Sequence, residues 1–214
     1  MAVAIHSTNN QHTLKSYSLF FCIGLATGII SRLTDFFPYN NLWSLSSIAT
    51  LYGFWMVTVT LVIYFSVSNI NAAINVFVYL MGMNVSFYLL KYLLGFFTPR
   101  FYEEEFQWNL FILYSVFALV CSAISYVLYY WNKENRISSF LYALPVSGLA
   151  AETLAVGIYL YNHHTFLFQL IFDLISLILI GSWFYQKANN KLMYIATIGA
   201  MTLIGYLLVY HPFL

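Results

Sequence analysis

Apolar residues run in seven long stretches, over 17–36, 47–67, 71–97, 107–131, 138–160, 165–186 and 191–211, separated by short polar breaks. Each stretch is close to or longer than the roughly 20 residues that carry an α-helix across a hydrocarbon core of about 30 Å. The breaks hold Pro38-Tyr39-Asn40-Asn41, Ser68-Asn69, residues 99–105, residues 132–136, Asn162-His163-His164 and residues 187–190, the chemistry that caps helices and turns chains. The pattern predicts an all-α, polytopic membrane helix bundle with seven transmembrane helices, falling to six if the turn at 160–165 does not reach the interface. Residues 1–16 read as a cytoplasmic polar amino-terminal segment and 17–214 as a single transmembrane domain. The first apolar run is longer than a signal-peptide core of about 7–15 residues, so it is expected to be a retained span.

Composition supports the bilayer as solvent. Of 214 residues, 62% are hydrophobic and 7% charged, against about 45–50% and 25% in a soluble domain, so a water-facing fold could not be covered. The net charge of +1 and the scatter of the eight basic residues give no footprint for nucleic acid. Trp43, Trp108, Trp131 and Trp183 fall near segment ends, where aromatic belts form. Cys22 and Cys121 lie inside apolar runs without metal spacing and read as reduced packing residues.

Lys and Arg in short loops set orientation. Seven spans place Lys15, Lys133, Arg136, Lys187 and Lys191 on one side and Arg32 and Arg100 on the other, which makes the amino terminus cytoplasmic and the carboxy terminus external. Glu103-Glu104-Glu105 and His163-His164 then face outside.

Five charged residues, Arg32, Asp35, Lys91, Glu152 and Asp173, fall inside or at the edge of the spans. A charge in hydrocarbon costs roughly 2.5–3.5 kcal/mol on insertion scales and is usually paired or functional. Glu152 and Asp173 each lie about 12 Å below the outer surface and Lys91 about 9 Å, at about 1.5 Å per residue. Gln169, Asp173 and Ser176 share one helical face, as do Asn84, Tyr88 and Lys91. Two polar stripes in apolar helices point to the bundle interior or to a cavity open to the outside. Arg32 and Asp35, at i and i+3, read as a structural ion pair. Lys91 is long enough to snorkel to the headgroups. The short carboxylates of Glu152 and Asp173 cannot, so between them they need a basic partner, a proton or a cation. Their spans are joined by a turn and should pack together, which makes these acids the substrate-binding candidates, with Lys91, Asn84 and Gln169 completing the lining.

Residues 143–152 combine Pro145 with Ser147, Gly148, Ala150 and Ala151, which predicts a proline kink with close packing, or a broken helix at a binding cavity. Gly24 and Gly28 form a second small-residue contact face. His163 and His164 diverge from a turn well above the acids, so no metal site is expected there. The chain carries no HExxH, GxSxG or Walker A pattern, and Glu103-Glu104-Glu105 lacks the arginine of glutamic intramembrane proteases. Lys191 sits at the edge of its span, unlike a retinal-binding lysine. No catalytic residue, enzyme activity or cofactor is therefore expected. Gly24-Leu25-Ala26 against Gly148-Leu149-Ala150 hints at a three-plus-one-plus-three repeat, as in small sugar and vitamin-precursor carriers.

Through Tyr130-Trp131-Asn132-Lys133, residues 144–152 and residues 164–175, the chain resembles a group of small multi-pass proteins of Gram-positive bacteria that has no assigned activity. The resemblance implies a bacterial inner (cell) membrane location and supplies no site residues. In size the chain is also similar to the substrate-capturing membrane subunits of vitamin transporters. The reading favoured by these observations is a protein that binds or transports a small polar solute, cationic or zwitterionic, from the outside. The competing one is a non-transporting accessory or immunity-type subunit whose buried charges only hold the bundle. The bilayer is the expected partner, with a small-molecule solute and no nucleic acid.

Overall fold

A computed structural model describes residues 2–38, 40–49, 51–97, 105–133 and 137–211, with the side chains of 2–13, 47 and 49 outside that description. Pro99, Arg100, Glu103, Glu104 and Arg136, used above for turns, orientation and the protease comparison, lie outside the described residues. The described residues contain no strand. Seven α-helices follow in order: α1 Ala2–Thr34, α2 Tyr52–Tyr64, α3 Asn69–Gly95, α4 Trp108–Leu128, α5 Ser138–His163, α6 Leu167–Lys187 and α7 Lys191–Gly205. Six spans, those of every helix but α2, are long and apolar enough to cross a membrane, α7 together with the π-helical turn Tyr206–Tyr210 that continues it. The protein is a multi-pass, all-α membrane protein. The polar stretch before residue 17 is the start of α1, so the first helix begins well ahead of its apolar part.

The second apolar stretch departs from a single long helix. It folds as a 3₁₀ segment, Leu45–Ala49, followed by α2, which has 13 residues. At about 1.5 Å per residue α2 covers about 20 Å, short of the roughly 30 Å hydrocarbon core. The turn at 160–165 does separate two helices. His164 and Phe166 both adopt left-handed backbone, with φ of 54° and 72°, an uncommon state for bulky residues. Four interactions hold it. The His164 N–H donates to the Leu160 carbonyl at 2.8 Å, Phe166 stacks on Tyr159, and the Leu167 and Phe168 N–H groups donate to the Leu42 and Trp43 carbonyls. The loop before the 3₁₀ segment therefore satisfies the first donors of α6.

The contacts divide into two units, one of residues 1–33 and 62–129 and one of 34–61 and 130–214. In the first unit α3 packs on α4 and on α1. A Cβ on Gly24 would strike the Tyr79 carbonyl oxygen, and one on Gly28 the Met83 carbonyl, so the expected small-residue face is where two backbones nearly touch. Asparagines stitch the same unit: Asn75 is buried, donates to Ser66 Oγ at 2.9 Å and accepts from Ser16 Oγ, while Tyr17 Oη donates to Asn71 Oδ1. Arg32 is buried with its guanidinium over the Phe87 ring at 5.6 Å.

In the second unit α5 packs on both α6 and α7. It runs unbroken through Pro145, and Gly148 admits the Met56 side chain of α2. Trp131 is buried rather than set in an interfacial belt. Its ring lies parallel to Tyr142 at 5.5 Å and tilted against Phe184 at 5.2 Å, closing the start of α5 against the end of α6. Trp43 and Trp108 remain exposed.

Candidate functional site

Glu152, Asp173 and Gln169 are each 0% exposed, and all three stand in the second unit. Glu152 comes from the middle of α5, and Gln169 and Asp173 from the first two turns of α6. The i, i+4 spacing lets Gln169 Nε2 donate to Asp173 Oδ1 at 2.8 Å. Ser176, one turn further, is also buried, so the whole polar stripe of α6 faces inward as its periodicity predicts.

The start of α2 completes the site. The backbone N–H groups of Tyr52 and Gly53 approach the Glu152 carboxylate, placing the positive end of α2, equivalent to about half an elementary charge, against an acid. Gly53 is required there: a Cβ at this position would collide with Asp173 Oδ1 and stand 3.1 Å from Gln169 Nε2. Gly53 thus adjoins all three polar residues. From the other side Tyr210 Oη donates to Glu152 Oε2 at 3.0 Å, delivered by the π-helical turn Tyr206–Tyr210 at the end of α7. Such turns cluster at functional sites.

After these bonds are counted, Glu152 Oε1, Asp173 Oδ2 and Gln169 Oε1 have no hydrogen-bond donor among the described residues. Neither carboxyl has a Lys or Arg partner there, and Glu152 is the charge that bears on Asp173. The arrangement is a buried, oxygen-rich cluster of side chains beside a helix end. Among the described residues no three His, Cys, Asp or Glu side chains are grouped to hold a metal ion. His163 packs its ring on Tyr159 at 4.3 Å, at the end of α5.

Of the five expected binding residues, the structure gathers Glu152, Asp173 and Gln169. Asn84 and Lys91 belong to the first unit and are engaged inside it. Asn84 Nδ2 donates to the Phe111 carbonyl and to Ser115 Oγ, at 2.9 and 3.0 Å, and Lys91 Nζ donates to Gln107 Oε1 at 2.6 Å. Asp35 lies just past the end of α1 and is half-buried. Sequence reasoning missed Gly53, Tyr52 and Tyr210. A glycine early in an apolar span was the only available signal, because both tyrosines are indistinguishable in sequence from belt residues.

Compared with protein-family models, curated proteins and solved structures, the chain finds no match in any of the three.

Proposed function

We propose that this membrane protein binds or carries a small polar solute, cationic or zwitterionic, and that Glu152 and Asp173 hold the positive charge that enters with it. The observation that carries this reading is the set of three buried acceptor oxygens without donors. Each buried, unsatisfied acceptor costs about 1–3 kcal/mol, more when charged. A network that served only to hold helices would gain by replacing these groups with apolar ones. The π-helical turn and the interrupted second span, both devices of membrane binding sites, support the same reading.

We further propose that the 3₁₀ segment and α2 together make the second crossing, since 18 residues in those two forms extend about 30 Å. Seven crossings keep the amino terminus cytoplasmic and the carboxy terminus outside, in a bacterial cell membrane.

A second reading follows from the closure of the site. The Gln169–Asp173 and Tyr210–Glu152 bonds also tie α6 to itself and α7 to α5, as an accessory or structural subunit would require. Purified wild type and the Glu152→Gln/Asp173→Asn variant, tested against a panel of small amines and zwitterions by thermal shift and by uptake into proteoliposomes, separate the two. The binding reading expects a ligand-dependent shift in wild type that the variant loses. If no panel member shifts either protein and the variant is only altered in stability, the accessory reading holds.

A further inference from the structure

We infer that the Glu152–Asp173–Gln169 cluster is the site of one dehydrated monovalent metal cation, with Na⁺ as the probe, and that this ion accompanies the solute rather than being replaced by it. The inference rests on the binding reading above and specifies what the acids themselves touch.

Ligand type comes first. The three atoms without donors are Glu152 Oε1, Asp173 Oδ2 and Gln169 Oε1, all oxygens, on residues with no exposed surface. Oxygen-only donor sets select hard cations. The side-chain donors that reach the cluster, Tyr210 Oη and Gln169 Nε2, are directed at the other oxygen of each carboxyl, while the Tyr52 and Gly53 N–H groups approach the Glu152 carboxylate from α2.

Counting separates a metal ion from a single proton. A single proton sits on Glu152 Oε1 or Asp173 Oδ2, since an amide oxygen takes none, and makes one donor; two protons, one on each carboxyl, would serve all three oxygens, and the pH arm of the test below separates that state from a metal ion. A metal ion is bound by several oxygens at once.

Size argues against an organic ammonium among these atoms. On the α2 side even a methyl group on Gly53 has no room beside Asp173 Oδ1.

Charge selects the valence. The cost of stripping water from an ion rises with the square of its charge, so a divalent ion meets about four times the penalty of a monovalent one in a dry site. Calcium takes about six to eight oxygens, and magnesium keeps several of its waters. The positive end of α2 already offsets part of the acidic charge, about half an elementary charge. One monovalent cation leaves about half a negative charge and a divalent one about half a positive charge, so the dehydration cost is what separates them.

The test uses the full chain in lipid nanodiscs at fixed pH and ionic strength, with choline chloride replaced stepwise by NaCl and thermal unfolding as the readout. Wild type is expected to show a saturable rise in Tm of several degrees, with KCl less effective. Glu152→Gln and Asp173→Asn should abolish the rise, and Gln169→Leu should weaken apparent Na⁺ affinity at least tenfold. Gln169→Asn, which keeps the amide and shortens the reach, guards against a variant that does not fold and should weaken Na⁺ affinity without removing it. A wild-type Tm indifferent to Na⁺, or responsive only to CaCl₂ or to pH, overturns the inference. Uptake of an amine that needs Asp173 yet runs equally in choline medium overturns it too and leaves the binding reading standing. A saturable Na⁺ shift without response to any panel solute keeps the ion site and removes the solute.

Discussion

Gly53→Ala adds one methyl group at the point where α2, α5 and α6 meet around the acids. The new carbon collides with Asp173 Oδ1 and lies 3.1 Å from Asp173 Cγ and from Gln169 Nε2. Forcing a group into a packed interior costs about 1–3 kcal/mol. Displacing Asp173 also breaks its 2.8 Å bond from Gln169, which removes about 0.5–1.5 kcal/mol. Alanine returns about 0.5–1 kcal/mol through its better helix propensity. The net expectation is a loss of about 1–3 kcal/mol, seen as a fall of several degrees in Tm, at about 2–4 °C per kcal/mol for a chain of this size. Thermal unfolding of wild type, Gly53→Ala, Asp173→Ala and the double variant measures it. Because Asp173→Ala removes the oxygen that the methyl strikes, Gly53→Ala should cost at least about 1 kcal/mol less in that background. A Gly53→Ala protein as stable as wild type, or two effects that simply add, would refute the placement of Gly53 against Asp173.

Two further outcomes test the packing of each unit. Gly28→Leu drives a side chain into the Met83 carbonyl and Ser86, contacts that cannot yield without moving α1 off α3, so the variant should fail to accumulate as a monodisperse species by fluorescence size exclusion. Trp131→Ala should cost about 3–5 kcal/mol, and Trp131→Phe clearly less, in thermal unfolding; equal effects would contradict the stacked, buried ring between Tyr142 and Phe184.

Most helix boundaries were legible because bilayer physics writes them plainly. Lys187 to Asn190 ends α6 and caps α7, and Ser68 accepts from the Asn71 N–H to cap α3, so runs and breaks in sequence coincide with the helices found. The shortness of α2 was hidden. Residues 47–67 carry no charge, and the acid that meets the start of α2 is a tertiary partner, Glu152, which local composition does not encode. Gln169 with Asp173 was readable from i, i+4 spacing, since both partners lie on one helix. Asn84 and Lys91 show the limit of that method. Periodicity placed them on an inward face, but their partners Ser115 and Gln107 sit in α4 and just before it, and a stripe cannot say which neighbour it meets. Tyr210 was illegible because its hydroxyl reaches Glu152 through a π-helical register that shifts side chains off the 3.6-residue period.

The start of α2 and the buried acids explain one another only in part. A helix start buried away from water leaves four N–H groups without partners, and a buried carboxylate needs donors. Tyr52 and Gly53 of α2 and Glu152 of α5 answer part of each need, with Glu152 Oε1 still without a donor among the described residues, so a structural device would require Glu152 and the helix end and nothing more. Asp173 and Gln169 fall outside that exchange. Their mutual bond satisfies one atom of each and still leaves one oxygen of each without a donor, with a second acid held close to Glu152. If these two residues were there for stability alone, Gln169→Leu with Asp173→Asn would remove the Gln169 acceptor and the second acid at little cost in volume. Gln169→Leu/Asp173→Asn is therefore expected to hold or raise Tm in the absence of ligand while abolishing every ligand- or ion-dependent shift. A fall of several kcal/mol in the ligand-free protein would instead make the pair a structural requirement of the fold.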